Sequence, residues 1–258
     1  MSTALITGAS SGIGEQFAYA LAGRKYDLVL TARREDRMNI VGARARELGA
    51  GRVEIIAVDL GDRSAPQEIH DRVIAAGLQV DYLVNNAGFG TTGRFARLPL
   101  ERELAEIDLN VTALVALTRL FLPAMVERRR GTIINVASTA AFQGLPFMAT
   151  YAATKAFVLS FSEGLAGELA GSGVNVLALC PGPVRTEFQA VAKNENGRVP
   201  SFAFIDAATV VAQGISAAET GRAVYISGVM NFVGAQATRF LPRTIVNRIA
   251  RGLYRPAD

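Results

Sequence analysis

The apolar run Ala4–Thr7 breaks off into Gly8-Ala-Ser-Ser-Gly12-Ile-Gly14, and a helical pattern, Glu15 to Leu21, takes over at once. A strand that empties through a glycine-rich turn into a helix constrains the fold strongly, because it is the start of a βα unit. Glycine lets the backbone approach a ligand closely, and the helix amino end favours negative charge. Gly8, Ser10, Ser11, Gly12, Ile13 and Gly14 are therefore candidates for holding the pyrophosphate of a dinucleotide. Taken alone, the turn could equally be a ligand-free loop, since 25 residues are glycine.

The rest of the chain repeats the alternation. Apolar runs at Asp27–Thr31, Val53–Val58, Tyr82–Val84, Thr132–Val136, Asn175–Leu179 and Ala223–Ile226 read as strands. Between them, helical patterns run over Glu35–Leu48, around Pro66–Ala76, from Leu100 towards Arg128, over Phe147–Ala170 and near Asp206–Ala218. Pro183–Phe204 is less regular. This predicts an α/β fold: a single doubly wound parallel sheet of about seven strands with helices on both faces. Residues 1–228 form its body and residues 229–258 a helical C-terminal extension. Half of the residues are hydrophobic, as a parallel sheet covered on both faces requires. No segment is expected to span a membrane: the most apolar one, Val111–Val126, is interrupted by Thr118, Arg119 and Pro123. Such sheets bind ligands beyond their strands' carboxyl ends, where Gly8, Arg33, Asp59, Asn85, Ser138 and Pro181 all fall.

Tyr151 and Lys155 stand four apart in a helical pattern, so they share a face one turn apart. A nearby ammonium favours the phenolate and would lower the tyrosine pKa by about 1–3 units, towards the range of useful proton exchange. A chance pair on a solvated face has the same spacing.

Together, Thr7-Gly-Ala-Ser-Ser-Gly-Ile-Gly14, Asn85-Asn-Ala-Gly88, Asn110, Ser138, Tyr151-x-x-x-Lys155 and Pro181-Gly182 resemble the ordered signature of the short-chain dehydrogenase/reductase superfamily. The resemblance covers about the first three-quarters of the chain. It implies that Tyr151 is the acid/base and that Lys155 tunes it while binding the nicotinamide ribose. Ser138 would position a substrate carbonyl, with Thr139 a weaker candidate, and Asn110 would support a proton-relay water. For Asn110 a buried, hydrogen-bonded amide is the alternative. The resemblance further assigns cofactor contacts to Asp59 and Leu60, to Asn86, Ala87 and Gly88, and to Pro181, Gly182, Val184 and Thr186.

The end of the second strand bears on cofactor choice. An acid there holds the ribose 2′-hydroxyl of NAD, whereas arginine accommodates a 2′-phosphate. The segment reads Thr31-Ala32-Arg33-Arg34, so NADP(H) is expected over NAD(H). Solvated charges offset by Glu35 and Asp36 are the alternative. Phe89, Leu145, Phe147 and Phe188, with Phe142, Val191, Phe202 and Phe204 near them in sequence, are expected to ring an apolar substrate pocket around Ser138, or in part to be ordinary core.

Net charge is +4, and the excess lies after Gly228, where five arginines meet one acid, Asp258. The body thus carries no electrostatic sign of nucleic-acid binding. One cysteine, Cys180, fits a reducing compartment, and the immediate entry into a strand leaves no room for a signal peptide; a cytoplasmic protein is expected. One histidine, His70, read as structural or surface, and no Cys/His cluster argue against a metal site. Association into a homodimer or homotetramer is expected through the Asn110 and Tyr151 helices, where Ala156, Gly164, Ala166, Gly167 and Ala170 would allow close packing. The tail reads as two helices, Met230–Arg239 and Arg243–Tyr254, with Ile245, Val246, Ile249 and Leu253 as the second one's apolar stripe. Packing on the protein is favoured for it over a membrane surface. The functional expectation is hydride transfer between NADP(H) and a carbonyl or secondary alcohol of a fairly apolar small molecule. Two alternatives stand: a non-catalytic NADP(H)-sensing regulator, and a membrane-surface lipid or acyl carbonyl reductase.

Overall fold

The computed structural model describes residues 2–188, 192 and 204–254. Val191 and Phe202, expected near the pocket, and Arg255 and Asp258 of the tail lie outside them. Seven strands form one parallel sheet in the order β3-β2-β1-β4-β5-β6-β7. They are β1 (Thr3–Thr7), β2 (Asp27–Ala32), β3 (Val53–Ala57), β4 (Val80–Asn85), β5 (Gly131–Val136), β6 (Val174–Cys180) and β7 (Val224–Ile226). The strand order reverses at β1, which pairs with β2 on one side and β4 on the other. The carboxyl ends of β1 and β4 therefore open the crevice in which such sheets bind ligands.

Helices α1 (Gly12–Gly23), α2 (Glu35–Leu48) and α7 (Ala207–Glu219) cover one face, burying Phe17, Leu21, Met38, Val210 and Ile215 against it. The other face carries α3 (Ala65–Ala75), α5 (Ala113–Glu127) and α6 (Ala149–Glu168). Every residue of β1 is buried, which is why its sequence shows no polar alternation. Removing a fully buried ring such as Phe17 would cost about 3–5 kcal/mol.

The helix expected from Leu100 is interrupted in register. It comprises α4 (Leu100–Ile107), a π turn (Asp108–Thr112) and α5. Together, Leu100–Glu127 is long and apolar enough to cross a membrane by length and composition, contrary to the sequence expectation. Thr118, Arg119 and Pro123 do not break it: Thr118 is buried, Arg119 is exposed, and Pro123 lies within α5. Its Leu117, Phe121 and Met125 pack in the core. α4 is turned the other way from an ordinary surface helix, with Glu103 and Glu106 buried and Leu100, Leu104 and Ile107 exposed.

Asn85 is not at the rim. It is buried, and its Nδ2 donates to Thr118 Oγ1 (3.0 Å) and Asn135 Oδ1 (2.9 Å), while Asn135 donates to Ser162. These amides tie β4 and β5 to the covering helices, so the residue is structural.

Candidate active site

The chain leaves β1 through Gly8 (φ +65) and Gly12 (φ +60), left-handed conformations that favour glycine. Gly14 does a different job from the one expected: a Cβ there would overlap the Gly8 carbonyl oxygen, so Gly14 lets α1 pack on the turn and does not line the cleft. Ser11 begins α1 without a side-chain cap, which leaves the first-turn N–H groups for a ligand. Thr7 fixes the opposite wall: its Oγ1 accepts from Asn86 N and Ala87 N, both at 2.9 Å.

The two arginines after β2 separate in role. Arg33 is 75% exposed at its side chain and lies 3.8 Å from Asp59, whose Oδ1 accepts from Gly61 N. Arg34 instead donates to Ser10 Oγ and Ser11 Oγ (3.1 Å each) and to Glu187 Oε2 (2.8 Å). It thereby bridges the glycine loop to the segment after β6. That hydrogen bond holds the Glu187 carboxyl below the usual carboxylate range.

Leaving β5, Ser138 accepts from Ala140 N at its Oγ, so its own hydroxyl proton stays free to donate. Tyr151 and Lys155 are both buried on α6, and the Lys155 Nζ donates to Val136 O (2.8 Å). The expected lowering of the tyrosine pKa is not found. Burial pushes Tyr151 up, with the facing Ser138 hydroxyl pulling the other way, while Tyr254 and Glu106 push it further up. Burial also lowers Lys155 to about 8. Desolvation is the largest influence on both groups, and the Nζ sits 5.8 Å from the ring centroid.

Asn110, inside the π turn, spends its side chain on protein. Nδ2 donates to Phe89 O (2.9 Å) and Thr154 Oγ1 (3.1 Å), and Oδ1 accepts from Phe89 N (3.1 Å). These bonds match the buried amide of the alternative reading without bearing on a relay water, and they hold Phe89 at the cleft wall.

Most of these parts line one cleft of about 1150 Å³, with Thr7, Gly14 and Asn110 behind its wall. Gly8, Ser10, Ser11, Gly12, Ile13, Arg33 and Arg34 sit along its first part, with Asp59 and Leu60 beside them. Asn86, Ala87, Gly88, Pro181, Gly182, Val184 and Thr186 lie between that part and Ser138, Tyr151 and Lys155. Phe89, Leu145 and Phe188 line the far part, with the Phe188 ring 5.3 Å from that of Tyr151. Phe147 does not line it: it holds φ +70, and its carbonyl accepts from Gly93 N. Phe142 is partly buried and packs against a core cluster instead.

A glycine-flanked turn, uncapped helix N–H groups and a basic bridge at one end of the cleft suit a phosphorylated dinucleotide. The sequence pattern of the family described as short chain dehydrogenase matches residues 2–197. The chain belongs to that family. It shares 40% identity over 188 residues with an uncharacterized oxidoreductase of Myxococcus xanthus, covering 73% of this chain and 74% of the relative. It shares 34% over 196 residues with a very-long-chain 3-oxoacyl-CoA reductase of Anas platyrhynchos, where the match spans 62% of the relative's length and 74% of this chain. Among solved structures, a short-chain dehydrogenase from Sphingobium yanoikuyae in complex with NADPH superposes with a TM-score of 0.82 at 32% identity, covering 93% of this chain and 94% of that one. The chain is thus a short-chain dehydrogenase of the oxidoreductase class, whose general chemistry is hydride transfer between a nicotinamide cofactor and a carbonyl or alcohol.

Two residues of this dehydrogenase's cleft, and one buried behind its wall, escaped the sequence reading. Glu187 meets Arg34 across 153 residues of sequence. Tyr254, from helix α9 (Arg243–Tyr254), lines the cleft in the cluster that holds Tyr151. The inward stripe of α9 is Val246, Ala250 and Tyr254: Val246 faces in as expected, but Ile245 and Ile249 are exposed, because Ala250 carries little apolar weight in the sequence. Glu106 is buried on α4, where its carboxylate makes no hydrogen bond of ordinary geometry, although the Thr91 hydroxyl and N–H lie close enough to favour its charged form. Burial raises its carboxyl to about 7.

Proposed function

We propose that this short-chain dehydrogenase is an NADP(H)-dependent carbonyl reductase for a fairly apolar small molecule, with Tyr151 as its acid/base. The observation that carries the reading is the buried Tyr151, faced by Ser138 and followed one turn later by Lys155, in the same cleft as the glycine loop. Bound in that cleft, reduced nicotinamide supplies the hydride. Tyr151, held protonated at neutral pH by burial, gives its Oη proton to the substrate oxygen. Ser138 directs its free hydroxyl proton to the same oxygen, and two donors there stabilise the charge that develops on it. Lys155, anchored on Val136 O, keeps a donor beside Tyr151.

Preference for NADP(H) over NAD(H) is supported by Ala32 where an acid would repel a 2′-phosphate, and by Arg34 poised over Ser10 and Ser11. The related structure that holds NADPH agrees with it. An apolar substrate suits Phe89, Leu145, Met148, Phe188, Phe204 and Tyr254 around the far part of the cleft. The curated relative named as a 3-oxoacyl-CoA reductase points to the same chemical character. A homodimer or homotetramer is part of the proposal: Leu100, Leu104 and Ile107 on α4 and Phe157 on α6 are exposed, as are Ala156, Gly164, Gly167 and Ala170. A cytoplasmic setting fits the single, buried Cys180. NADPH loss measured against ketones, quinones and acyl thioesters tests the reading. Turnover of at least one class is expected; tight NADPH binding with no turnover of any would favour the sensing regulator.

A further inference from the structure

Helix α8 (Val229–Ala237) presents the wrong side to water. Its inward face holds Ala235 and the half-buried Asn231, while Val229, Met230 and Val233 point outward. The turn after it exposes Phe240 (86%) and Leu241, and the outer side of α9 adds Ile245 and Ile249. Single exposed apolar residues are ordinary, but large ones gathered on two consecutive helices and their turn mark an interaction surface.

Charge selects the partner. Between Gly228 and Tyr254 there are four arginines, Arg239, Arg243, Arg248 and Arg251, and no acid. All four are exposed, and none makes an ion pair among the described residues. A symmetric contact with a second copy through this face would set arginine against arginine, which costs affinity. An anionic lipid surface takes both features at once, apolar side chains into the acyl boundary and guanidinium groups onto phosphates. The opposite side of α9, through Val246, Ala250 and Tyr254, remains packed on the protein, so docking needs no rearrangement of the site.

We propose that the outer face of α8, the Phe240–Leu241 turn and α9 is a docking surface for an anionic bilayer. The proposal does not depend on the catalytic reading. The full chain is floated with vesicles of phosphatidylglycerol and phosphatidylcholine, and in parallel with phosphatidylcholine alone. Binding to the anionic vesicles, weakened by salt, is expected. Phe240→Asp should reduce partitioning by about tenfold or more. Arg243→Glu and Arg248→Glu should each reduce it by about fivefold or more. Because these side chains are exposed, Tm should stay at the wild-type value in each variant. Absence of vesicle binding, or binding that these substitutions leave unchanged, would overturn the proposal. So would a concentration-dependent dimer that Phe240→Asp abolishes in a chain that ignores vesicles, which would assign the face to a second copy.

Discussion

Replacing Arg34 by alanine should turn a cofactor preference into near indifference. The side chain has three partners: Ser10 and Ser11 at 3.1 Å and Glu187 at 2.8 Å. The Glu187 pair is about half exposed on both sides, so its loss costs the folded chain only about 0–1 kcal/mol. A charge-assisted contact with a 2′-phosphate is worth about 1.5–3 kcal/mol, or between one and two decades in Kd. Arg34→Ala should therefore weaken NADPH about 10- to 100-fold, and NADH, which has no phosphate there, by no more than about threefold. Arg33→Ala should have the smaller effect, since that side chain is largely solvated and its nearest acid is 3.8 Å away. Glu187→Gln should tighten NADPH by a few fold, because it removes the carboxylate that competes for Arg34. Fluorescence titration with both cofactors, at one fixed ionic strength because exposed charges are screened, measures all of these. Equal losses for NADPH and NADH in Arg34→Ala, or tighter wild-type binding of NADH, would refute the reasoning.

Tyr151→Phe keeps the ring against Phe188 and removes the proton, so turnover should fall about 10²–10⁴-fold with NADPH affinity near wild type; retention of most activity would exclude it as the acid. Glu106 is raised from 4.5 to about 7, so the stability it confers is complete below about pH 4.5 and is lost as pH rises to about 7. Urea unfolding should show a decline on the order of 3 kcal/mol or less over that window, and Glu106→Gln should flatten it. Lys155, lowered to about 8 from 10.5, gives the opposite slope, stability rising with pH above about 8, so the two windows do not overlap. Gly14→Ala drives a methyl into the Gly8 carbonyl and should lower Tm and weaken cofactor binding together; a Tm equal to wild type would show that α1 can shift to accept it.

The sheet was legible because its strands are buried on both faces, which leaves uninterrupted apolar runs between glycine-marked turns. Gly8 and Gly12 were legible because they share one turn, and Tyr151 and Lys155 because they share one helix, whereas Ser138 was assigned through the family resemblance. What failed depends on distant parts of the chain. Glu106 carried no signal in the sequence, because only the π turn and α4's inverted seating bury it. Asn85 looks like a rim residue until Thr118 and Asn135 are brought to it. The lysine effect on Tyr151 was argued from proximity, whereas the outcome turns on desolvation, which sequence spacing does not encode.

The placement of Tyr254 has an evolutionary corollary. The stretch that matches the family ends at residue 197, yet the wall beside Tyr151 is completed by a helix that begins at Arg243. On the proposed function, cofactor recognition is encoded mainly before the match ends, and part of the substrate end after it. A lineage could remodel or exchange its last helix and so change what the cleft admits, while the glycine turn, Ser138, Tyr151 and Lys155 stayed as they are. Drift in the tail would then be read as a change of diet and not as loss of trade.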